Sequence, residues 1–141
     1  MRREYEKPET GNKKLARMDK SNSYRDLVAG QQAMELVYRV YDLSARFPDH
    51  EKFGLTSQMR RSAVSVPSNI AEGQGGNSKG EFLQFLGHAK GSLHELETQL
   101  LIAGNLRYLD GDASSDVFDQ CSRVSKLLNG LLQSLRSQNV S

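Results

Sequence analysis

Apolar residues recur with the period of an α-helix in four separate segments of this chain. Within each segment they are three or four residues apart, which places them on one face of a helix and predicts that this face is buried. The predicted core positions are Ala33, Leu36, Val37, Val40, Leu43, Ser44 and Phe47 in the first segment; Leu55, Met59, Ala63, Val66, Ile70 and Gly73 in the second; Phe82, Leu86, Ala89, Leu93, Leu96, Leu100 and Ala103 in the third; and Val117, Cys121, Val124, Leu128, Leu131 and Leu135 in the fourth. We therefore predict four helices, at about 24–46, 55–73, 79–107 and 114–136.

Short polar connections separate these segments, and short connections force neighbouring helices to run antiparallel. The sequence therefore predicts an all-α fold, an antiparallel up-down-up-down four-helix bundle formed by residues 21–141. Residues 1–20 are charged and aperiodic, and we predict that they form a disordered polar tail that adds nothing to the fold. Ser23, followed three residues later by Asp26, has the pattern of a helix cap and is expected to start the first helix.

A proline and a glycine-rich turn mark the junction of the second and third segments. Pro67 lies within the second apolar stripe, where it removes one backbone hydrogen bond, so we expect a helix that bends there but continues to about Glu72. The run Gly73-Gln74-Gly75-Gly76 then predicts a tight reversal. Ser78 with Glu81 has the spacing of a capping box, so we expect a strongly capped third helix and an αα-hairpin.

Small residues are frequent on the second and third helices. On the third helix Gly87 and Gly91 are four residues apart, next to Ser92. Each glycine costs up to about 1 kcal/mol relative to alanine in a helix, so we expect a neighbouring backbone to pack closely there. The small residues of the second helix are Ser62, Ala63, Ser65, Ser68 and Ala71.

The net charge of +2 is unevenly distributed along the chain. Residues 1–20 contain seven Lys or Arg residues and four acidic residues, whereas residues 21–141 have a net charge of −1. A domain that grips a phosphate backbone normally has a surplus of cations, so the near-neutral body argues against such a partner. The tail is either a contact for an anionic partner or a solvated leader, and both interpretations stay open.

Catalytic and metal-binding patterns are missing from the sequence. Di-iron bundles need a histidine three residues after a glutamate on facing helices, and the corresponding glutamates here are followed by other residues. Cys121 lies on the fourth apolar stripe, which favours a buried structural thiol over a nucleophile. The glycine-rich turn lacks the preceding strand and the Gly-Lys-Ser/Thr of a phosphate-binding loop. We therefore expect no enzymatic activity, no metal and no cofactor.

Three features predict a cytoplasmic location. The single cysteine allows no intrachain disulfide, which suits a reducing compartment. No apolar run approaches the roughly 18 residues needed to span a membrane. The charged N-terminus lacks the apolar segment of a secretory signal.

Two polar features are not explained by the core pattern. Arg60 and Arg61 lie near the start of the second helix. The third helix has a polar stripe, which is either a solvated face with pairs four residues apart or a buried polar seam between subunits. The stripe consists of Gln84, His88, Glu95 and Gln99.

Three runs of sequence carry a resemblance to a known family. Residues 54–73 read Gly-Leu-Thr-Ser-Gln-Met-Arg-Arg-Ser-Ala-Val-Ser-Val-Pro-Ser-Asn-Ile-Ala-Glu-Gly, residues 78–86 read Ser-Lys-Gly-Glu-Phe-Leu-Gln-Phe-Leu, and residues 91–100 read Gly-Ser-Leu-His-Glu-Leu-Glu-Thr-Gln-Leu. These runs resemble the four-helix-bundle proteins of the 23S rRNA-intervening-sequence family. The resemblance extends over roughly residues 23–109 and is specific, because it includes unusual choices such as the mid-helix Pro67.

This resemblance implies a small bacterial cytosolic bundle. Some proteins of this kind are encoded within insertions in large-subunit ribosomal RNA genes, and related accessory proteins of diversity-generating retroelements form pentameric barrels that bind nucleic acid and a reverse transcriptase. The present chain departs from the pattern at two places. Gly30 stands where many relatives have an aromatic residue, and Gly73-Gln74-Gly75-Gly76 stands where they have a Gly-Phe-Gly-Arg-like turn. The loss of an aromatic and an arginine weakens the nucleic-acid hypothesis.

Two functional hypotheses follow. The first is a non-enzymatic, self-assembling accessory or scaffold protein for a protein partner. The second is an RNA- or DNA-binding module, with phosphate contacts from Arg60, Arg61 and Lys79 and help from the tail.

Self-association is predicted independently from the first helix. Its apolar stripe is wider than one core can bury, because Met34, Tyr38 and Tyr41 extend it on one flank. We therefore predict a homo-oligomer with these three residues at the interface. The number of copies, five, is implied only by the resemblance.

Overall fold

Four long α-helices make up most of residues 20–138, the part of the chain that the computed structural model describes. They are α1 (Lys20–Ser44), α2 (Leu55–Gln74), α3 (Lys79–Asn105) and α4 (Gly111–Ser137), with a short 3-10 helix at Asp49–Glu51 between α1 and α2. No strand occurs within the described range. The predicted all-α, up-down-up-down bundle is confirmed. The predicted disordered tail, apart from Lys20, lies outside the described residues.

Each helix packs against two neighbours around one core. α1 contacts α2 and α4, α3 also contacts α2 and α4, and the α2–α3 pair has the most extensive contact. Every core position predicted from the apolar stripes is buried. Leu86, Leu93, Leu96 and Leu100 on α3 are fully buried, and burial of each such side chain contributes about 2 kcal/mol by transfer from water.

The first helix starts earlier than its cap pattern predicts. α1 begins at Lys20, so Ser23 lies inside the helix and not at its cap. Asp26, which the pattern placed in the first turn, is the seventh helical residue and is completely buried. The side chain of Asp26 is therefore buried, whereas the side chain of a cap residue would face solvent.

The second helix continues through its proline. α2 is unbroken from Leu55 to Gln74 with Pro67 inside it, as predicted, while the bend at Pro67 stays a prediction. Side chains satisfy carbonyls beside the proline: Ser68 Oγ donates to the Val64 carbonyl at 2.8 Å, and Asn69 Nδ2 donates to the Ser65 carbonyl at 2.8 Å. Side-chain bonds to the carbonyl four residues back often accompany a bend in a helix.

A glycine allows α2 and α3 to meet at their shared turn. A Cβ on Gly73 would lie 2.7 Å from Phe82 Cδ1 and 3.1 Å from Phe85 Cβ, closer than side chains pack. The predicted cap of α3 is present. Ser78 Oγ accepts a hydrogen bond from the Glu81 N–H at 3.1 Å. In return, Glu81 Oε2 accepts a hydrogen bond from the Asn77 N–H, also at 3.1 Å. The αα-hairpin is therefore fixed by a close approach and by a cap.

Small residues bring α2 and α3 together along their length. Ser65 Oγ and Ser92 Oγ are 2.8 Å apart, and Ser62 Oγ donates to Glu95 Oε1 at 3.0 Å. The expectation for Gly87 and Gly91 is wrong within the chain, because both are exposed and a Cβ on either would meet nothing within 4 Å. No neighbour within the described residues accounts for these two glycines.

Two connections meet at the opposite end of the bundle. Glu51 Oε1 accepts from the Leu55 N–H at 3.3 Å, at the start of α2, and Glu51 Oε2 accepts from the Tyr108 hydroxyl at 3.0 Å. Burial, together with Glu51, raises the pKa of Tyr108. Arg107 takes a left-handed backbone conformation, with φ of 63°, which ends α3 and turns the chain toward α4.

Candidate functional site

An apolar strip extends along α1 and α2 outside the core. Met34, Tyr38 and Tyr41 share one side of α1, because four- and three-residue steps return to the same side of a helix. Tyr41 is 41% exposed, and Met34 and Tyr38 are half-buried. Val64 of α2 is 39% exposed. We call Met34, Tyr38, Tyr41 and Val64 the apolar flank.

Arg60 connects the two helices that form the flank. Its Nε donates to Ser44 Oγ at 2.9 Å, and one of its Nη atoms donates to the Tyr41 carbonyl at 3.4 Å. Its guanidinium carbon lies 4.5 Å from the centroid of the Tyr41 ring, within cation–π range. Arg60 therefore places a positive charge at the C-terminal end of α1, where a cation stabilises a helix. Val64 follows Arg60 by one turn and so lies beside α1 as well.

The three residues predicted to contact phosphate do not form one surface. Arg60 is bound to α1, Arg61 beside it is exposed, and Lys79 is the half-buried first residue of α3. The stretch of α2 from Arg60 to its end spans about 20 Å at 1.5 Å per residue, so Lys79 lies at the opposite end of the bundle. A contact of these residues with nucleic acid stays a prediction.

The polar stripe of α3 is divided between exposed positions and one buried position. Gln84, His88 and Glu95 are exposed on the single chain, as both the solvated face and the seam between subunits predict. Gln99 is only 8% exposed, and its Oε1 has no hydrogen-bond partner among the described residues. The stripe therefore includes one buried amide that the sequence pattern did not separate from its solvated neighbours.

Charge is separated along the long axis of the bundle. The Ser65–Ser92 contact and the hydrogen bond from Gln120 Nε2 to Gln32 Oε1, at 3.0 Å, mark its middle. We call residues 24–32, 65–92 and 120–138 the terminal half, and residues 33–64 and 93–119 the far half. Side chains of the terminal half include six Lys or Arg and three acids, whereas those of the far half include six Lys or Arg and ten acids. The terminal cations are Arg25, Lys79, Lys90, Arg123, Lys126 and Arg136, and the terminal acids are Asp26, Glu72 and Glu81.

Each half has an open cleft between α1 and α4. In the far half a cleft of about 260 Å³ contains Arg39, whose Nη1 bonds Asp116 Oδ1 at 3.1 Å, so an acid balances this cation. In the terminal half a cleft of about 590 Å³ is lined by both Arg25 and Lys126, with Leu127, Leu131 and Gly130 among the other lining residues. Among the residues that the structure describes, no acid lines this larger cleft.

Asp26 is a buried acid for which the described part of the chain supplies no hydrogen-bonding or ionic partner. Its side chain is 0% exposed, and neither carboxylate oxygen has a hydrogen-bond partner among the described residues. Burial raises its pKa from 3.8 to about 7. The sequence pattern missed this position because a polar residue on an apolar stripe was assigned to a cap, although Asp26 is three residues before the buried Ala29.

The cysteine is buried, as predicted. Cys121 is 1% exposed, and burial, followed by the nearby Glu97, raises the pKa of its thiol to about 12. A thiol with this pKa is almost entirely protonated at neutral pH and is a poor nucleophile. Within residues 24–138 no three His, Cys, Asp or Glu side chains are grouped as a metal site, and no described helix is long and apolar enough to cross a membrane.

The model of the family described as 23S rRNA-intervening sequence protein matches residues 25–130 of this chain. The chain belongs to this family. A crystal structure from Bacteroides thetaiotaomicron, a protein of unknown function from the S23 ribosomal protein family, is 23% identical and has a TM-score of 0.72. The match covers 77% of this chain and 98% of that one, which supports the same fold for this member of the intervening-sequence protein family. No protein with a curated description matches the chain.

Proposed function

We propose that this member of the family is a non-enzymatic, self-assembling scaffold or accessory protein for a protein partner in the cytoplasm. The observation that carries the proposal is the apolar flank, where Tyr41 and Val64 are about 40% exposed beside Met34 and Tyr38. A contiguous apolar patch on a soluble monomer promotes uncontrolled association. A repeated contact between copies removes the patch from water. If the same rotation relates each copy to the next, the last copy can contact the first, and the assembly closes into a ring.

The five-fold number rests on the resemblance of the sequence to relatives that form pentameric barrels. The chemistry of the described residues supports a role without catalysis. The thiol of Cys121 is buried and protonated, and the acids that approach other polar groups, such as Glu51 and Glu81, are used to fix turns and caps. These features leave association as the function that the geometry supports best.

Sedimentation of a flank variant tests this proposal. Tyr38→Glu combined with Tyr41→Glu places two charges on the flank and is expected to convert the oligomer to monomer while helical content stays largely unchanged. Phe53→Glu is a control, since Phe53 is 90% exposed in a connection outside the flank, and it is expected to leave the assembly intact. A wild-type protein that sediments as a monomer at micromolar concentration contradicts the proposal.

A second candidate function, binding of RNA or DNA, is favoured by the excess of cations in the terminal half. Phosphate contacts release counterions, so the affinity of such a module falls steeply as salt rises. Binding to RNA and to DNA at two salt concentrations tests it, with Lys79→Gln as a variant of a terminal-half cation and Arg61→Gln as a variant of the predicted contact in the far half. Absence of binding even at low salt ends this candidate.

A further inference from the structure

Large apolar side chains are exposed at the end of the bundle where α2 begins and α3 ends. Phe53 is 90% exposed, Leu101 59%, Leu106 49% and Ile102 44%. We call these four residues the end patch. Single exposed apolar side chains are normal on a protein surface, whereas a group of them marks a surface that binds a partner.

The pairing of α2 with α3 brings the end patch together. Ser62 Oγ donates to Glu95 Oε1, which fixes the register of these two antiparallel helices. Phe53 is nine residues before Ser62, so it is about level with the position nine residues after Glu95, between Ile102 and Leu106. Ile102 follows Glu95 by two turns and therefore lies on the same side of α3, toward α2. The exposed side chains thus belong to one surface.

The end patch is separate from the apolar flank. Arg60 and Val64 lie on the side of α2 that adjoins α1, whereas Ser62 faces α3. A contact between copies through the flank is therefore not expected to cover the end patch.

We propose that the end patch is the docking site for a cationic amphipathic helix of a partner protein. Such docking rests on the accessory role proposed above, gives it a surface and a partner chemistry, and does not require self-association. The apolar face of the partner helix covers the end patch, and its Lys or Arg side chains meet the acids around it.

Charge complementarity selects a cationic partner. The two connections beside the end patch, residues 45–54 and 105–112, include four acids and three Lys or Arg, and the far half as a whole includes ten acids and six Lys or Arg. A surface with this balance attracts cations and repels the far half of a second copy. Within the described residues, Tyr24 is the one exposed large apolar side chain of the terminal half, so that half has little apolar surface with which to cover the patch.

The arrangement of the end patch favours a helix as the occupant. Ile102 and Leu106 are four residues apart on α3, and a row of side chains with this spacing is a ridge against which another helix packs. Phe53 projects from the connection beside this ridge, and aromatic side chains are enriched where proteins bind one another. Phe53 is therefore the expected anchor of the contact.

The test measures binding of a fluorescent amphipathic peptide of about 18 residues, with leucines on one helical face and lysines on the other, by anisotropy. Phe53→Ser with Ile102→Ser removes two apolar contacts without a change of charge and is expected to weaken binding at least tenfold. Tyr24→Ser is the matched control, because it removes an exposed aromatic from the terminal half, and is expected to change binding less than twofold. Asp49→Asn with Asp110→Asn is expected to weaken binding at least threefold at about 0.05 M salt and to have little effect at about 1 M.

Three results would overturn the docking site. Wild type does not bind the peptide, it binds equally well a peptide with glutamates in place of the lysines, or Tyr24→Ser weakens binding as much as the Phe53 and Ile102 pair does. Circular dichroism checks the fold of each variant, and Phe53→Ser alone replaces the pair if the pair loses helical content. If the pair abolishes binding to phosphatidylcholine vesicles and leaves peptide binding unchanged, the patch contacts lipid and the proposed partner is wrong.

Sedimentation of the same samples separates docking from self-association. A wild-type monomer that binds the peptide refutes the proposed assembly and supports the docking site. A Phe53 and Ile102 variant that sediments as a smaller species than wild type assigns the end patch to a contact between copies and refutes the docking site.

Discussion

At the scale of single residues, Asp26 links the stability of the bundle to pH. Its folded pKa of about 7 lies above its ordinary value of 3.8, and burial is the cause. Well below pH 3.8 both states are protonated, and ionisation does not act against folding. As the pH rises the unfolded chain loses its proton first, so stability falls between about pH 4 and pH 7 and then stays level.

Asp26→Asn removes this ionisation. We expect the variant to be more stable than wild type at pH 7.5, by an amount on the order of a few kcal/mol, and the difference to shrink steadily toward pH 4. Urea unfolding of both proteins at half-unit pH steps measures the difference. A difference that is the same at pH 5 and pH 8 would show that the Asp26 carboxyl does not titrate in this range.

Arg60 and Arg61 are neighbours in sequence but have different roles in the structure. Arg60 bonds Ser44 and the Tyr41 carbonyl, so Arg60→Gln leaves the end of α1 without its cation and is expected to cost about 1 kcal/mol. Arg61 is exposed, and Arg61→Gln is expected to change stability by less than about 0.5 kcal/mol. Denaturant unfolding of the two variants compares them, and equal losses would contradict the structural role of Arg60.

At the scale of helices, apolar periodicity was sufficient to predict the bundle. Buried positions must recur every three or four residues, and the core is large, so every predicted core position is buried. Apolar periodicity does not predict which polar residues are buried. Asp26, Gln99 and Gln120 are buried, yet a search for apolar residues passes over them. Their burial depends on the packing of the whole bundle.

The sequence alone does not show which helical glycines have a close neighbour, and Gly73 and Gly91 differ in this respect. Gly73→Ala places a Cβ 2.7 Å from Phe82, so the α2–α3 turn must open, and we expect a loss of about 1–3 kcal/mol. Gly91→Ala is the matched substitution in open space and is expected to stabilise the folded chain by up to about 1 kcal/mol. Thermal unfolding compares the two. A loss of stability at Gly91 would indicate that another copy packs closely on this face of α3.

At the scale of the whole molecule, charge separation is a product of topology. The alternating direction of the helices brings residues 24–32, 65–92 and 120–138 to one half of the bundle, although they are far apart in sequence. When the charges are added along the chain, the positive half and the negative half nearly cancel, so the body has almost no net charge. The near-neutral body gave an argument against a polyanionic partner, and that argument does not hold for one half taken alone. The family match supports the fold.

The separated charges also offer a competing way for copies to associate, end to end, with a terminal half against a far half. Salt separates this mode from the flank contact, because the Debye length falls to about 3 Å at 1 M and screens exposed charges, whereas apolar burial does not weaken. We expect the sedimentation coefficient to be the same at about 0.05 M and 1 M sodium chloride. Tyr38→Glu with Tyr41→Glu is expected to sediment as a monomer at both concentrations. Dissociation of wild type at high salt would instead assign the association to the oppositely charged ends.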